Sequence, residues 1–256
     1  MRSVDVFNII AKKIVFRIED IRQYFNSDSR MYDWLISSQV DKRIIKIRAG
    51  LYSIIDPTTG SAYADKYMVA SGISKDSYVS YHSALEFHGI ANQVYNCITV
   101  ANTTRFSSFE FDGIEYNYVN SPVNCGINHI YKGLDLKVTN LERTIIDCIH
   151  QINLAGGMEE LFYALDAITI LKEDKILEYL DCYSINYLYR NVGYILSHYA
   201  RELYLSNDFL KHCKCKINNV KYYFLRNENL PLSYNAEWQL IAPKFSEIRK
   251  RLDGGF

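Results

Sequence analysis

The sharpest constraint in the sequence is the stretch Asp56-Pro57-Thr58-Thr59-Gly60-Ser61. Proline fixes φ and removes a backbone donor, glycine tolerates conformations that other residues resist, and the small polar residues between them bury nothing. The stretch follows the β-branched run ending at Ile54-Ile55, so no regular element continues through it. With four prolines and twelve glycines in 256 residues, the chain has no composition to spare for a long flexible linker. A boundary is therefore expected here, giving a domain over residues 1–56 and a larger one over residues 57–256, against a usual domain size of ~100–150 residues.

In the first segment, Val6, Phe7, Ile10, Ala11 and Ile14 recur at helical spacing, and Val15-Phe16-Arg17-Ile18 is β-branched and aromatic like a short edge strand. Asp20 is expected to cap a second helix that buries Ile21, Tyr24 and Phe25. Asn26-Ser27-Asp28-Ser29 then turns the chain, with Asp28 or Ser29 capping a third helix. That helix buries Met31, Trp34, Leu35 and Ser38 and turns Arg30, Asp33 and Ser37 away. In Arg43–Arg48, Ile45 and Ile47 alternate with Lys46 and Arg48, as in a half-buried strand. Ala49-Gly50 supplies a turn and Tyr52 and Ile54 a second strand. Helix, strand, helix, turn, helix and hairpin is the order of a winged helix-turn-helix, whose third helix would enter a major groove while the hairpin lies against phosphates.

Charge placement agrees with that expectation. The chain as a whole is neutral, with 29 Lys+Arg and 29 Asp+Glu, which excludes a uniformly basic coat or an acidic tail. Residues 1–56 carry ten Lys/Arg and seven Asp/Glu, a local charge of +3 that the remainder balances with −3. Arg30, Lys42, Arg43, Lys46 and Arg48 fall on the third helix and hairpin, and Arg22 on the second helix. These six are the candidate phosphate contacts, with Ser29, Asp33 and Ser37 as candidate base readers. The competing reading of the same segment is a small winged module that contacts protein, with solvated charges on its hairpin.

The remainder alternates between helix and strand patterns. Helices are expected over Tyr63–Ala70 and from near Ser77, the latter placing Tyr81, Ala84, Leu85 and His88 on one face before Gly89 stops it. Val94–Ala101, Phe106–Phe111, Ile114–Val119, His129–Lys132 and Asp135–Val138 are strand candidates; Asp112-Gly113 is a strong hairpin signal and Gly133 separates the last two. Thr139-Asn140-Leu141-Glu142 fits a capping box opening a helix that buries Leu141, Ile145, Cys148, Ile149 and Ile152. On that helix Arg143 and Asp147, four apart, can pair. The pattern stays helical through Leu203 and returns to strand character over residues 209–225. The fold class expected is α+β: an N-terminal winged helix-turn-helix followed by a larger mixed α/β domain with a helical half.

Four stretches, in order along about residues 5–200, resemble the AbiEi family of antitoxins and transcriptional regulators. Arg48-Ala49-Gly50-Leu51-Tyr52 matches the end of the family's wing, and Tyr78-Val79-Ser80-Tyr81-His82-Ser83-Ala84-Leu85 with His88-Gly89-Ile90 resembles the helix opening its second domain. Val138-Thr139-Asn140-Leu141-Glu142-Arg143-Thr144-Ile145-Ile146-Asp147 is similar to its Leu-Glu-Arg-Thr…Asp helix, and Tyr189–Leu196 to its Arg-x-x-Gly-Tyr-Leu-Leu segment. The resemblance implies an autorepressor that binds its operon's promoter DNA. It also implies an antitoxin that neutralises a cognate nucleotidyltransferase-like toxin in abortive infection, a type IV phage-defence system without a stable toxin–antitoxin complex. His82, Glu86, Arg143, Asp147 and Arg190 are the motif positions it singles out in the antitoxin domain. Residues 205–256 fall outside it.

Catalytic and metal chemistry have weaker support. His82 and Glu86 lie one turn apart but lack a third ligand at diagnostic spacing, so a helix surface pair is expected. His212-Cys213-Lys214-Cys215, with Cys182 upstream, reads as two small hydrophobes on one face of a strand. Glu110, Asp112 and Glu115 crowd a hairpin without a lysine to complete a nuclease site, and Gly156-Gly157 lacks the continuation of a phosphate loop. The 22 tyrosines, dense between 179 and 199, read as amphipathic packing. No enzyme activity, metal or cofactor is expected. The N-terminus shows no secretory signal, no window approaches the ~20 apolar residues of a membrane span, and six scattered cysteines fit a reducing compartment, so a cytoplasmic protein without a membrane partner is expected. Two further readings stay open: a winged-helix regulator with a ligand-sensing domain and no toxin, and a metal-dependent nuclease or nucleotidyltransferase-like enzyme.

Overall fold

The computed structural model describes residues 3–121, 123–131, 135–226 and 228–254. Helices and several sheets alternate in an α+β fold that forms two compact units: residues 1–80, 95–122 and 127–139 in the first, and residues 81–94, 123–126 and 140–256 in the second. The boundary expected at 56/57 lies inside the first unit. The Asp56–Ser61 stretch is a closed turn rather than a linker: the Asp56 carboxylate accepts from the Thr58 backbone N–H at 2.8 Å, and the Asp56 N–H donates to the Ser61 carbonyl at 2.9 Å. Proline and glycine mark a reversal there, and the chain folds back beside the strand it has just left, the Tyr63 N–H donating to the Ile54 carbonyl.

The first unit opens with α1 (Ser3–Ala11), β1 (Val15–Arg17), α2 (Ile18–Ile21), a 3-10 turn over Arg22–Tyr24, α3 (Asp28–Val40), β2 (Ile44–Arg48) and β3 (Leu51–Ile54). The strands make an antiparallel sheet in the order β1-β3-β2. Val6, Ile10, Phe16, Met31, Trp34, Leu35 and Ile44 close one core, with the residues of α1 and α3 on the faces that the spacing predicts. Ile14 takes a φ of 64° and turns the chain into β1 instead of extending α1. Asp20 is not the cap of α2 but its third residue, and its carboxylate reaches back to accept the Arg17 N–H at 2.9 Å.

Then follow α4 (Lys66–Gly72), β4 (Tyr78–Val79), β5 (Cys97–Asn102), β6 (Phe109–Phe111), β7 (Ile114–Asn120), β8 (Ile127–Tyr131) and β9 (Asp135–Thr139). These six strands form a mixed sheet in the order β6-β7-β5-β4-β9-β8. The Asp112-Gly113 turn between β6 and β7 is as expected, with φ of 53° and 74° at its two residues, the pair of left-handed conformations that favours glycine. Lys132 and Gly133, expected around the β8–β9 turn, lie outside the described residues. Asp65 caps α4, accepting from the Tyr67 and Met68 N–H groups. The helix expected from Ser77 begins later, because Tyr78 and Val79 are the strand that joins β5 to β9, pairing Tyr78 with Ala101 and Val79 with Val138. Gly72 of α4 is so close to β1 that a Cβ there would come within 2.4 Å of Val15 Cγ1, so α4 packs directly on the N-terminal segment within the first unit.

The second unit contains α5 (His82–Phe87), α6 (Leu141–His150), a 3-10 turn over Ile152–Ala155, α7 (Met158–Ala167), α8 (Glu173–Tyr183), α9 (Asn186–Ser197), α10 (Asn207–Cys215), β10 (Tyr222–Tyr223), β11 (Leu232–Asn235), β12 (Leu240–Pro243) and α11 (Phe245–Leu252). Its small sheet has the order β10-β12-β11. The strand character expected over residues 209–225 survives only at β10; the rest is mainly α10, capped by Ser206. On a helix, Cys213 is buried and Cys215 exposed, so the Cys-x-Cys pair does not share a face. The cap of α6 is Asn140, which accepts from the Arg143 N–H at 3.0 Å, because Thr139 is already paired with Ile127 in the sheet. Glu142 accordingly does not close a box on Thr139 but accepts the Lys172 N–H at 3.2 Å.

Trp238, 1% exposed, packs on α9 at Gly193, where a Cβ would lie 2.1 Å from the indole. Gly193→Ala is therefore expected to lose about 1–3 kcal/mol by overpacking, despite the ~1 kcal/mol that alanine gains over glycine within a helix. A urea-melt midpoint equal to or above that of the parent would refute this account of the contact.

Candidate functional site

On α3 the buried face is the one expected, and Ser29, Arg30, Asp33 and Ser37 are all exposed. The cap is Ser27, one residue before the expected pair; its Oγ accepts from the Arg30 N–H at 3.4 Å. Ser37 Oγ donates to the Trp34 carbonyl at 3.1 Å, so part of its bonding capacity is used within the helix. The same exposed side carries an apolar stripe that the charge pattern concealed: Tyr32, Ile36 and Val40, at 49%, 60% and 76% exposure, one turn apart. Such a stripe can meet thymine methyl groups or a protein surface.

The six candidate phosphate contacts divide into two groups. Arg30, Lys42 and Lys46 are exposed and form no ion pair among the described residues. The other three are engaged. Arg22 pairs with Asp28 at 3.0 Å, Arg43 lies 3.9 Å from Asp41 with its guanidinium over the Phe7 ring, and Arg48 is half-buried. Arg48 covers the Phe109 ring at 4.7 Å and the Phe106 ring at 5.6 Å. A β-bulge explains its placement. Lys46 pairs with Tyr52 and Arg48 with Leu51, leaving Ile47 between them, so Ile44 and Ile47 are the buried positions of β2 and the expected Ile45/Ile47 alternation breaks.

The motif positions of the second unit are internal. Arg143 is fully buried and spends its guanidinium within the unit: Nε donates to Asp147 at 2.6 Å, Nη1 to the Cys125 and Val123 carbonyls at 2.6 and 3.2 Å, and Nη2 to Tyr183 Oη at 3.2 Å. Tyr183 in turn donates to Asp147 at 2.5 Å. Burial pushes the Asp147 carboxyl up, against the pull of Arg143 and Tyr183, and with Asp147 it drives the Tyr183 hydroxyl well above its ordinary range. His82 is buried, not part of a surface pair with Glu86; its Nε2 lies 3.1 Å from Glu160, whose carboxylate also accepts the Asn92 N–H at 2.7 Å. Arg190 is buried too, stacked over Tyr222 and donating to the Asn218 carbonyl at 2.8 Å. Tyr183 and Glu160, the partners that complete these clusters, carried no recognisable spacing in the sequence.

Beside this network lies a cavity of about 660 Å³ lined by His150, Asn191, Tyr187 and Tyr222 among others. His150 Nε2 meets Tyr187 Oη at 2.7 Å, and its Nδ1 is buried without a hydrogen-bond partner. Burial, aided by Arg143, holds the His150 imidazole below its ordinary range. Among the described residues no group of three or more His, Cys, Asp or Glu side chains is placed to hold a metal, and no helix is long and apolar enough to cross a membrane.

No protein-family model matches the chain, and no curated protein sequence matches it. In structure it is similar to the RV2827C protein from Mycobacterium tuberculosis, known from a crystal structure, with a TM-score of 0.65 over 97% of this chain and 93% of that one. Sequence identity between the two is 14%, so the likeness is one of fold.

Two outcomes follow from the buried network. Asp147→Ala leaves a desolvated guanidinium short of its counter-ion and is expected to cost about 3–5 kcal/mol in urea unfolding; a loss below about 1 kcal/mol would show that the pair is not holding α6. The His150 contribution runs the other way with pH. Its folded pKa is depressed, so the unfolded chain takes up the proton first, and stability present above about pH 6.5 is lost as pH falls through that range. His150→Gln should flatten the slope of unfolding free energy between about pH 7 and 5, and an unchanged slope would remove His150 as its source.

Proposed function

We propose that the chain is an antitoxin and autorepressor of the AbiEi type: residues 1–56 act as a winged helix-turn-helix on the promoter of its own operon, and the rest neutralises a nucleotidyltransferase-like toxin in abortive infection. The four motifs in sequence order are what support the family assignment. The element order α1-β1-α2-α3-β2-β3 with its antiparallel β1-β3-β2 sheet supports the winged-helix reading. In this reading α3 lies in the major groove, Ser29 and Asp33 face base edges, and the hairpin follows the backbone.

The observation that carries the DNA-binding half is the set of exposed cations Arg30, Lys42 and Lys46 on α3, on the turn after it and on β2, which form no ion pair among the described residues. Arg22 and Arg43 would add contacts only by leaving their carboxylate partners, which makes them weaker contributors. The protein has no catalytic role in this proposal and needs no cofactor; it works in the cytoplasm and opposes its toxin without forming a stable complex. For the toxin-facing half, Arg143, Asp147, His82 and Arg190 build the scaffold, and their burial leaves recognition to other side chains.

A second reading is favoured by the Tyr32-Ile36-Val40 stripe, which would let α3 dock on protein instead of DNA. Salt dependence separates the two. Each phosphate contact contributes roughly one unit to the slope of log affinity against log salt. The full-length triple variant Arg30→Ala, Lys42→Ala, Lys46→Ala should therefore bind a promoter duplex at least about ten-fold more weakly, with a slope shallower by up to about three units. Parental affinity and slope would sink the DNA reading, and a change of oligomeric state on replacing Ile36 and Val40 by serine would then favour the protein-docking one. In cells carrying the toxin, the same triple variant supplied from an unrelated promoter should still protect; loss of protection by the folded variant would mean that neutralisation is not separate from DNA binding.

A further inference from the structure

The first unit contains a cavity of about 430 Å³ that sequence patterning gave no reason to expect. Its walls come from four separate parts of the chain: Arg17 and Glu19 at the β1–α2 junction, Arg48 and the Ala49-Gly50 turn of the hairpin, Ile73-Ser74 after α4, and the Thr104-Arg105-Phe106 loop after β5. Arg17, Arg48 and Arg105 thus line the same space, with Glu19 the acid beside them. Arg17 is only partly neutralised, by Asp20 at 3.3 Å. Arg48 and Arg105 have no acidic partner among the described residues. Arg17 Nε and Arg48 Nη1, which solvent does not reach, have no hydrogen-bond acceptor among the described residues, so an anion in the cavity meets the other nitrogens of these two guanidinium groups. A buried donor left unpaired is costly, and a charged one more so. The Phe106 and Phe109 rings beneath Arg48 keep water from one of its faces, which strengthens its attraction for an anion.

We infer that this cavity binds a small phosphate monoester, its phosphate among Arg17, Arg48 and Arg105 and its organic part in the remaining space. A phosphate monoester carries a charge of about −1.5 to −2 and three acceptor oxygens, which matches donors converging from three directions. A carboxylate brings one charge and two oxygens and leaves a guanidinium unmatched. The volume exceeds what inorganic phosphate fills and falls within the ~300–1,000 Å³ common for small-molecule sites. Arg48 is then a ligand-binding residue before it is a DNA contact. The inference does not rest on the operator-binding proposal and stands or falls separately from it.

The test is calorimetric titration of the full-length protein in phosphate- and sulfate-free buffer at low salt, with ribose 5-phosphate as the probe. Ribose serves as its uncharged counterpart and acetate as a carboxylate. Saturable one-to-one binding of ribose 5-phosphate is expected, with none for ribose and at least about ten-fold weaker binding for acetate. Arg105 is exposed, so Arg105→Gln should leave the ligand-free melting temperature unchanged while weakening ribose 5-phosphate at least about ten-fold; Arg48→Gln should weaken it similarly. The absence of saturable heat with the parent protein, equal binding of acetate, or unchanged affinity in Arg105→Gln would each overturn the proposal. Loss of duplex binding in Arg105→Gln, with no binding of the free ester to the parent, would also overturn it and assign the cavity to a DNA phosphate.

Discussion

A guanidinium with no access to water has to find every partner inside the fold, and Arg143 does. Its donors reach Asp147 and Tyr183 on α6 and α8 and the backbone carbonyls of Val123 and Cys125. The last two belong to a four-residue segment, 123–126, that would otherwise be an unremarkable connection between β7 and β8. Removing a charge of this kind from water costs several kcal/mol, recovered only if the surrounding acceptors are fixed in place. Asn140 capping α6, Tyr179 accepting from the Asn140 amide at 2.6 Å, and the helices packed around α6 supply that fixity. The second unit is therefore organised around one buried polar helix, and a purely apolar core would not specify where residues 123–126 must lie.

How much of this could be read from sequence differs from element to element. The faces of α1 and α3 were legible because apolar residues recur at a helix period, and the Asp112-Gly113 hairpin because its backbone needs two left-handed residues. Boundaries set by tertiary pairing were not. Tyr78-Val79 looked like the start of a helix, yet it is the short strand on which β5 and β9 both depend, since pairing partners distant in the chain decide a two-residue strand. Thr139 looked like a helix cap until its pairing with Ile127 claimed it for β9, moving the cap to Asn140. The Pro57–Gly60 signal marks a turn, and a turn and a domain boundary share the same local chemistry; here α4 after the turn packs back on β1, Gly72 against Val15.

The candidate interface shows the same limit. Charge counting puts five cations on the third helix and hairpin and Arg22 on the second helix, and Arg30, Lys42 and Lys46 form no ion pair among the described residues. Arg48 was the least legible, because a one-residue bulge re-aims everything after it: with Ile47 left between the paired residues, the next side chain covers Phe106 and Phe109 of a loop and strand about sixty residues away in sequence. Neither the bulge nor that loop has a period that a sequence pattern can express.

Pairing, more than position, sorts the arginines by what they do. Arg143 is buried and matched, so it can hold a fold and has little capacity left for anything else. Arg30 is exposed and unmatched, a state that costs little because water solvates it, and so it is available to a phosphate at small desolvation cost. Arg17 and Arg48 occupy the unfavourable middle: partly buried, with a donor atom each that finds no acceptor among the described residues. Folding returns part of that cost through the Arg17–Asp20 pair and the Arg48 contacts with Phe106 and Phe109. The proposed anion would add an acceptor from outside the chain at the guanidinium nitrogens that line the cavity together with Arg105.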